Sequence, residues 1–380
     1  MRLFVYSGNR ADFGLLSPII HGLSKGHEIS LLVGGSHQEK AMGETAREVV
    51  SSVGDKSRIF CLSSSGSAET ELFSDSFCGV SHHLRSDPPD FLILLGDRIE
   101  TLGAAVAAHL AGVKIAHVHG GDRTDGSRDN ASRHAISKLA HVHFPASETA
   151  AKRLEALGED REYIIQINSP AFAWGTHHEN SVAAQCWEVE PFLSRTLVAL
   201  TFHPNDDLTT HHVVDIVDTL SRSFADILFV VTAGNSEGDG RKTNEALADL
   251  STLRDNLKFY SSLGIERYQA LLRRAHAMIG NSSSGIIEGP ALGVPSISVG
   301  SRQQGRERYG SVIFVQPDGD EISARLFECL NQTEVFNAKS ESHLFNETDI
   351  GRIDRALREH YGAPCLKHFA QMEEKINAAC

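Results

Sequence analysis

Strand-like and helix-like segments alternate through both halves of the chain, which predicts an α/β protein of two Rossmann-like, doubly wound domains facing a cleft. Three observations carry this expectation. The run Phe91–Leu95 is continuously apolar, as in a strand buried on both faces of a parallel sheet. The alternation breaks over 169–185, a stretch with Pro170, glycine and no periodicity, and then starts again. The length, 380 residues, exceeds what one hydrophobic core normally serves. We therefore divide the chain into a first domain over 1–170, a second over 171–365, and a terminal helix over 366–380 that packs back on the first domain.

Taken in order, 2–6 is β-branched and aromatic and reads as a strand, followed by a Gly-Asn-Arg turn and a helix over 15–23. A second strand over 27–33 ends in a glycine pair. Phe91–Leu95 ends in Gly96-Asp97-Arg98 and opens an alanine-rich helix over 101–111. Strands over 114–118, 141–144 and 163–167, with helices over 131–139 and 148–157, complete the first half. In the second half we expect strands over 196–201, 227–231, 258–261, 277–279 and 296–299. Helices over 213–224, 243–253 and 265–274 separate them.

The charge balance is −13 with 22% charged and 41% hydrophobic residues, which argues against a nucleic-acid surface. No apolar stretch is long enough for a membrane span, and Met1 leads into a strand rather than a basic-then-apolar leader. Cys61, Cys78, Cys186, Cys329, Cys365 and Cys380 show no metal-type pairing, which fits a reducing cytoplasm.

In doubly wound sheets ligands bind beyond the carboxyl ends of the strands, and the unusual residues of this chain cluster there. Gly280-Asn281-Ser282-Ser283-Ser284-Gly285 follows an apolar strand and precedes an expected helix. Its unpartnered N–H groups and dipole suit a phosphate, with Glu288 a turn further on to reach a sugar hydroxyl; the alternative is an ordinary capped helix. Arg10 after the first strand suits a base or phosphate clamp, or a solvated loop. Asp97 and Arg98 suit an acid/base group with its orienting partner, or a helix cap. His117, His119, Gly120, Gly121 and Asp122 put imidazoles and an acid beside a glycine pair that admits close approach of a ligand. His-x-His invites a zinc reading, but no third ligand follows at a recognisable spacing. Asp129 and Arg133 can direct charge into the same cleft. His203, before Pro204 at a strand end, suits a ligand contact or an acid. Arg302 and Arg306 suit a diphosphate, or closure of their own loop. The dinucleotide fingerprint, the phosphate-loop motif and a nucleophile elbow are all missing from their expected places.

GNRADFG at the start, GDR at 96–98, HVHGGD at 117–122, DNASRHAISKLAHVHF at 129–144, FHP at 202–204 and GNSSSGIIEGPALGVPSISVGSRQQGR at 280–306 together resemble the hydrolysing UDP-N-acetylglucosamine 2-epimerases. These supply N-acetylmannosamine for sialic acid synthesis, and close relatives act on bacillosamine-type nucleotide sugars for legionaminic acid. The resemblance implies the two-domain glycosyltransferase-B type of fold, a cytoplasmic homodimer or homotetramer, and a UDP-sugar substrate with no metal and no cofactor. It also implies a reaction: a base removes the C2 proton, UDP leaves C1, and water adds across the glycal to release the 2-epimer. By position, the catalytic residues become Asp97, Asp122, Asp129 and His203. The substrate contacts become Arg10, Arg98, His119, Arg133, Ser282, Ser283, Ser284, Gly285, Glu288, Arg302 and Arg306. Three departures bear on the site. Asp122 stands where many members have Glu, shortening the reach by about 1.5 Å. His119 stands where some have Glu, and Asn130 replaces a second acid. A hydrolysing epimerase of UDP- or GDP-2,4-diacetamido sugars, a retaining glycosyltransferase and a non-catalytic nucleotide-sugar sensor are the competing readings.

Overall fold

The computed structural model describes residues 1–38, 58–63, 65–66, 68–123, 129–170, 192–205, 207–234, 239–304, 312–331, 345–365 and 367. The first half builds β1 (Arg2–Ser7), α1 (Arg10–Leu23), β2 (Glu28–Val33), β3 (Arg58–Cys61), α2 (Glu69–Ser86), β4 (Phe91–Leu95), α3 (Ile99–Leu110), β5 (Lys114–Val118), α4 (Asp129–Leu139), β6 (Val142–Phe144) and α5 (Glu148–Ala156). The second half builds β7 (Thr196–Thr201), α6 (Thr210–Ser223), β8 (Ile227–Thr232), α7 (Gly240–Thr252), β9 (Leu257–Tyr260), α8 (Gly264–Arg274), β10 (Ala277–Gly280), α9 (Glu288–Ala291), β11 (Ser296–Val299), β12 (Val312–Val315) and α10 (Gly319–Asn331). A last described helix, α11, spans Glu347–Glu359.

The strands form two six-stranded sheets, ordered β3-β2-β1-β4-β5-β6 and β12-β11-β10-β7-β8-β9, and every pairing is parallel. Renumbered within its own half, the second order is the first read backwards, so both sheets are wound alike. Each has one topological switch point, where the chain leaves in opposite directions from adjacent strands: β1 beside β4, and β7 beside β10. A crevice opens at the carboxyl ends of such a strand pair, which is where this architecture accepts ligands. Both sheets are Rossmann-like, and the pair is of the glycosyltransferase-B type.

Helices on both faces bury the sheets. On one face of the first sheet Leu3, Val5, Ile93, Val118 and Phe144 pack with Phe13, Leu16 and Ile19 of α1. Ile353, Ala356 and Leu357 of α11 join that same cluster, so the chain returns to the first sheet before its end. We assigned the return to 366–380; apart from Lys367 that segment lies outside the described residues, and α11 occupies this role upstream. Lys367 itself donates to the carbonyls of Ser137 and Lys138. The link expected over 169–185 lies outside the described residues from 171 onward. Among the described residues no helix is long and apolar enough to cross a membrane.

Two expected elements differ. The strand over 163–167 reduces to one bridge between Ile164 and His143, because Asp160 caps a 3-10 turn over Arg161–Tyr163 instead. The helix expected to start on the serines is a 3-10 turn, Ser283–Gly285, followed by the four-residue α9. Gly293, at φ 75°, ends that segment and turns the chain into β11. The positive pole of a long helix is therefore not available to a phosphate there, and any anion grip rests on local N–H and O–H donors.

Candidate functional site

At the first switch point Gly96, with φ 80°, turns the chain out of β4 and delivers Asp97. The Asp97 carboxylate accepts a hydrogen bond from Arg133 Nη2. Arg133 lies on α4, one turn after Asp129, so helix periodicity sets the two on one face. Buried His117 braces the turn: its Nε2–H donates to the Gly96 carbonyl at 2.8 Å, leaving Nδ1 to accept from Ser137 Oγ at 3.1 Å. Burial pushes the His117 imidazole down to about 3, so it is a neutral strut and not a proton donor to substrate.

Arg98 aims its Nε–H at Glu100 Oε1, 2.6 Å away, and Glu100 is fully buried. Close by, Asn9 caps α1 and holds Asp12 twice: Asp12 N donates to Asn9 Oδ1 at 2.9 Å, and Asn9 Nδ2 donates to Asp12 Oδ2 at 2.8 Å. Burial raises the Asp12 carboxyl to about 7, with the Glu100 charge adding to the rise and Arg98 opposing it. A second acid set thus lies under the first switch point. Our sequence reading singled out neither Asp12 nor Glu100. Arg10 opens α1 beside them.

The loop after β5 carries the HVHGGD residues. His119 is buried and has φ 62°; it is the only non-glycine with positive φ among the described residues. Its Nδ1 lies 3.0 Å from Asp122 Oδ2, and its Nε2 lies 3.2 Å from Ser169 Oγ. Gly121 follows at φ 78°, where a Cβ would meet the Ala150 carbonyl oxygen at 2.2 Å, so the tight loop requires glycine. Both histidines of the pair therefore engage protein groups through both ring nitrogens. No trio of His, Cys, Asp or Glu with metal-site geometry occurs among the described residues.

At the second switch point Asn281 staples the two strand ends. The His203 amide donates to Asn281 Oδ1 and Asn281 Nδ2 donates to the His203 carbonyl, each at 2.7 Å. Arg302 Nη1 and Gln303 Nε2 both donate to the Asn281 carbonyl, at 3.1 and 2.9 Å. His203, the serine turn and Arg302 are thereby gathered around one buried asparagine. Gly280 permits this closeness, since a Cβ there would lie 1.9 Å from the Thr201 carbonyl oxygen. Within the turn Ser282 caps Ser284, and Tyr268 of α8 bonds Ser284 Oγ at 2.7 Å. Glu288 opens α9. Arg306 lies outside the described residues.

The two switch points adjoin. Ile287, two residues past the serine turn, packs against the apolar cluster of the first sheet. The helix that carries Tyr268, α8, lies against α1. Asn281 and Ser169 were missed along with Asp12. For Asn281 the usable signal was a polar residue at the exit of an apolar strand; Asp12 and Ser169 gave none.

The sequence model of the UDP-N-acetylglucosamine 2-epimerase family matches residues 23–353. The chain belongs to that family. It is 31% identical over 353 residues to a UDP-N,N'-diacetylbacillosamine 2-epimerase (hydrolyzing) of Legionella pneumophila, covering 88% of this chain and 90% of the relative. It is 30% identical to a GDP/UDP-N,N'-diacetylbacillosamine 2-epimerase (hydrolyzing) of Campylobacter jejuni, covering 82% and 83%. Among solved structures it resembles a UDP-GlcNAc 2-epimerase from Neisseria meningitidis bound to UDP-GlcNAc. The TM-score is 0.80 at 17% identity, over 94% of this chain and 100% of the other, a likeness of fold.

Proposed function

We propose that this epimerase is hydrolysing and acts on UDP-N-acetylglucosamine or a related UDP-2-acetamido sugar, releasing UDP and the free 2-epimer. One observation carries the reading: Asp97 and the serine turn stand at the two switch points of like-wound sheets whose walls touch through Ile287 and α8. Carboxylates from one lobe then face phosphate-binding donors from the other.

The reaction runs in two balanced steps. A carboxylate takes the C2 proton while the C1–O bond breaks, its electron pair leaving with the diphosphate and a C1=C2 glycal remaining. Water then adds its oxygen to C1, giving up a proton to a carboxylate, while an acid on the opposite face protonates C2, which inverts that carbon. Asp97, held by Arg133, stands on one side of this exchange. Asp122, held by His119, and Asp129 stand on the other. His203 and Arg302, gathered by Asn281, and Ser282, Ser283 and Gly285 hold the diphosphate, and Glu288 takes the ribose. Arg10 contacts the nucleotide. The working unit is a cytoplasmic homodimer or homotetramer.

A 2,4-diacetamido sugar is the second reading, favoured because the two relatives described above carry diacetylbacillosamine names. Proton NMR in deuterated water, with UDP-N-acetylglucosamine and UDP-diacetylbacillosamine in parallel tubes, tests both. UDP should appear together with a 2-epimerised free sugar carrying deuterium at C2. Release of UDP with C2 untouched in both tubes overturns the proposal.

A further inference from the structure

His119 has an unusual combination of properties. It is buried, it adopts a left-handed backbone conformation that side-chain-bearing residues rarely take, and it directs both ring nitrogens at protein groups. Backbone outliers of this kind persist only where the surroundings over-determine them, and they concentrate at functional sites. The surroundings here do so. The His119 amide donates to the Phe144 carbonyl at 3.0 Å, which fixes the backbone against β6. On the far side, Ser169 belongs to a segment that is itself tied down. The Asn168 amide donates to Asp349 Oδ1 at 3.0 Å, and the Ile167 amide donates to the Pro145 carbonyl at 3.1 Å. Asp349 is buried on α11.

We propose that His119 is a positioning residue: it orients the Asp122 carboxylate for proton transfer by anchoring it, through Ser169, to the rigid frame of β6 and α11. The proposal rests on Asp122 being one of the acids of the reaction. An aspartate on a glycine-flanked loop has rotational freedom that a buried strut removes. In the arrangement that satisfies both contacts, the Ser169 hydroxyl donates to Nε2, and Nδ1–H donates to Asp122 Oδ2. A neutral imidazole with its proton on Nδ1 is the less common tautomer in water, so the partners must enforce it. The ring then supplies one directional donor that favours the ionised carboxylate.

The test uses the full-length protein and four variants: His119→Asn, His119→Gln, Ser169→Ala and Asp122→Asn. Asparagine tolerates the left-handed conformation, so His119→Asn keeps the loop while withdrawing the strut; melting temperature and UDP affinity by calorimetry check this. We expect kcat to fall up to about 100-fold in His119→Asn, the scale of a misplacement near 1 Å, with KM and UDP affinity within about 2-fold. The pH profile of kcat should also differ from the parent's, a change that a merely structural role would not produce. Ser169→Ala should move both readouts the same way and less far, and His119→Gln should recover part of the loss.

A readout independent of turnover is the imidazole nitrogen spectrum of protein labelled with 15N-histidine. The signal that disappears in His119→Asn should report the Nδ1–H tautomer and should shift toward the Nε2–H form in Asp122→Asn. Unchanged kcat and pH profile in His119→Asn, with Asp122→Asn inactive, overturns the positioning role and leaves the function standing. Full activity in Asp122→Asn overturns the assignment of Asp122 on which the proposal rests. A His119 signal that is Nε2–H in the parent overturns the hydrogen-bond scheme whatever the substrate proves to be.

Discussion

Replacing Asp12 by Asn should make the protein more stable, and by an amount that grows with pH. Asp12 is a carboxyl raised from 3.8 to about 7, first by burial and then by the nearby Glu100 charge, against the opposing pull of Arg98. The folded chain therefore keeps a proton that the unfolded chain releases above about pH 4. Stability falls as pH rises from about 4 to about 7 and is flat beyond, because the folded form must either hold the proton or bury a second charge. A separation of about three pK units corresponds to about 4 kcal/mol at the plateau. Asparagine is neutral throughout and keeps an oxygen to accept from Asn9 Nδ2, so it escapes the penalty while preserving the α1 cap. The stability gap between variant and parent should open by about 3 kcal/mol between pH 5 and pH 8. For a cooperative unit of roughly 150–250 residues, each kcal/mol moves the melting temperature by about 2–4 °C. Melting both proteins side by side at half-unit steps of pH reads this directly. A gap that stays flat across the range would show that Asp12 titrates like a solvated aspartate, and the buried acid pair under the first switch point would be wrong.

Asp97→Asn should lower kcat by at least about 100-fold, the usual scale for an acid/base group, while calorimetric UDP affinity stays within a few-fold. Asn281→Ala removes both hydrogen bonds between the buried Asn281 side chain and the His203 backbone. It should cost about 2–4 kcal/mol in denaturant titration and weaken UDP binding, whereas the Asp97 variant should weaken turnover alone. Glu159 is buried between His143, Lys138 and Lys367; burial raises its carboxyl, but those three partners outweigh it and hold it at about 2. Its contribution is present above about pH 4.5 and is lost as pH falls toward 2. Glu159→Ala should destabilise by about 3–5 kcal/mol at pH 7, with a gap to the parent that narrows on acidification in urea melts.

The residues beyond strand ends were legible because two simple signals coincide there. Strands such as Phe91–Leu95 are apolar throughout, so the first polar residue after each one marks a carboxyl end. In a doubly wound sheet those ends are also where ligands go. β3, β12 and α2 gave no such signal, although the edge strands β6 and β9 did. β3 and β12 pair on one side only, and α2 turns Leu72, Ser76, Val80 and Leu84 inward, a stripe diluted by its serine. The acid set around Asp12 was illegible for another reason. Its carboxyl is raised first by burial and then by Glu100, against the pull of Arg98, and both partners stand far along the chain and meet Asp12 only after β1 and β4 have paired. Asp129 and Arg133, in contrast, sit one helical turn apart, and helix periodicity alone sets them on one face.

The pairing of charges assigns the two lobes different tasks. At the first switch point two arginines are directed at acids of their own lobe, Arg133 at Asp97 and Arg98 at Glu100. Those guanidiniums hold carboxylates in a chain whose formal charge is −13, and each one so engaged has less to offer a phosphate. The second lobe reverses the pattern. Around the serine turn its groups are hydroxyls, amides and Arg302, and its organising residue, Asn281, is neutral. On the function proposed above, a nucleotide diphosphate is repelled by those acids and held by the hydroxyls, amides and Arg302 of the second lobe, with the sugar over the first. Elimination needs this order, because the leaving group must be stabilised where the carboxylates are not while the C2 proton must be within their reach. A family member of this design should therefore bind free UDP with an affinity that survives loss of Asp97 and falls with loss of Asn281, and the contrast between those two variants measures the division directly.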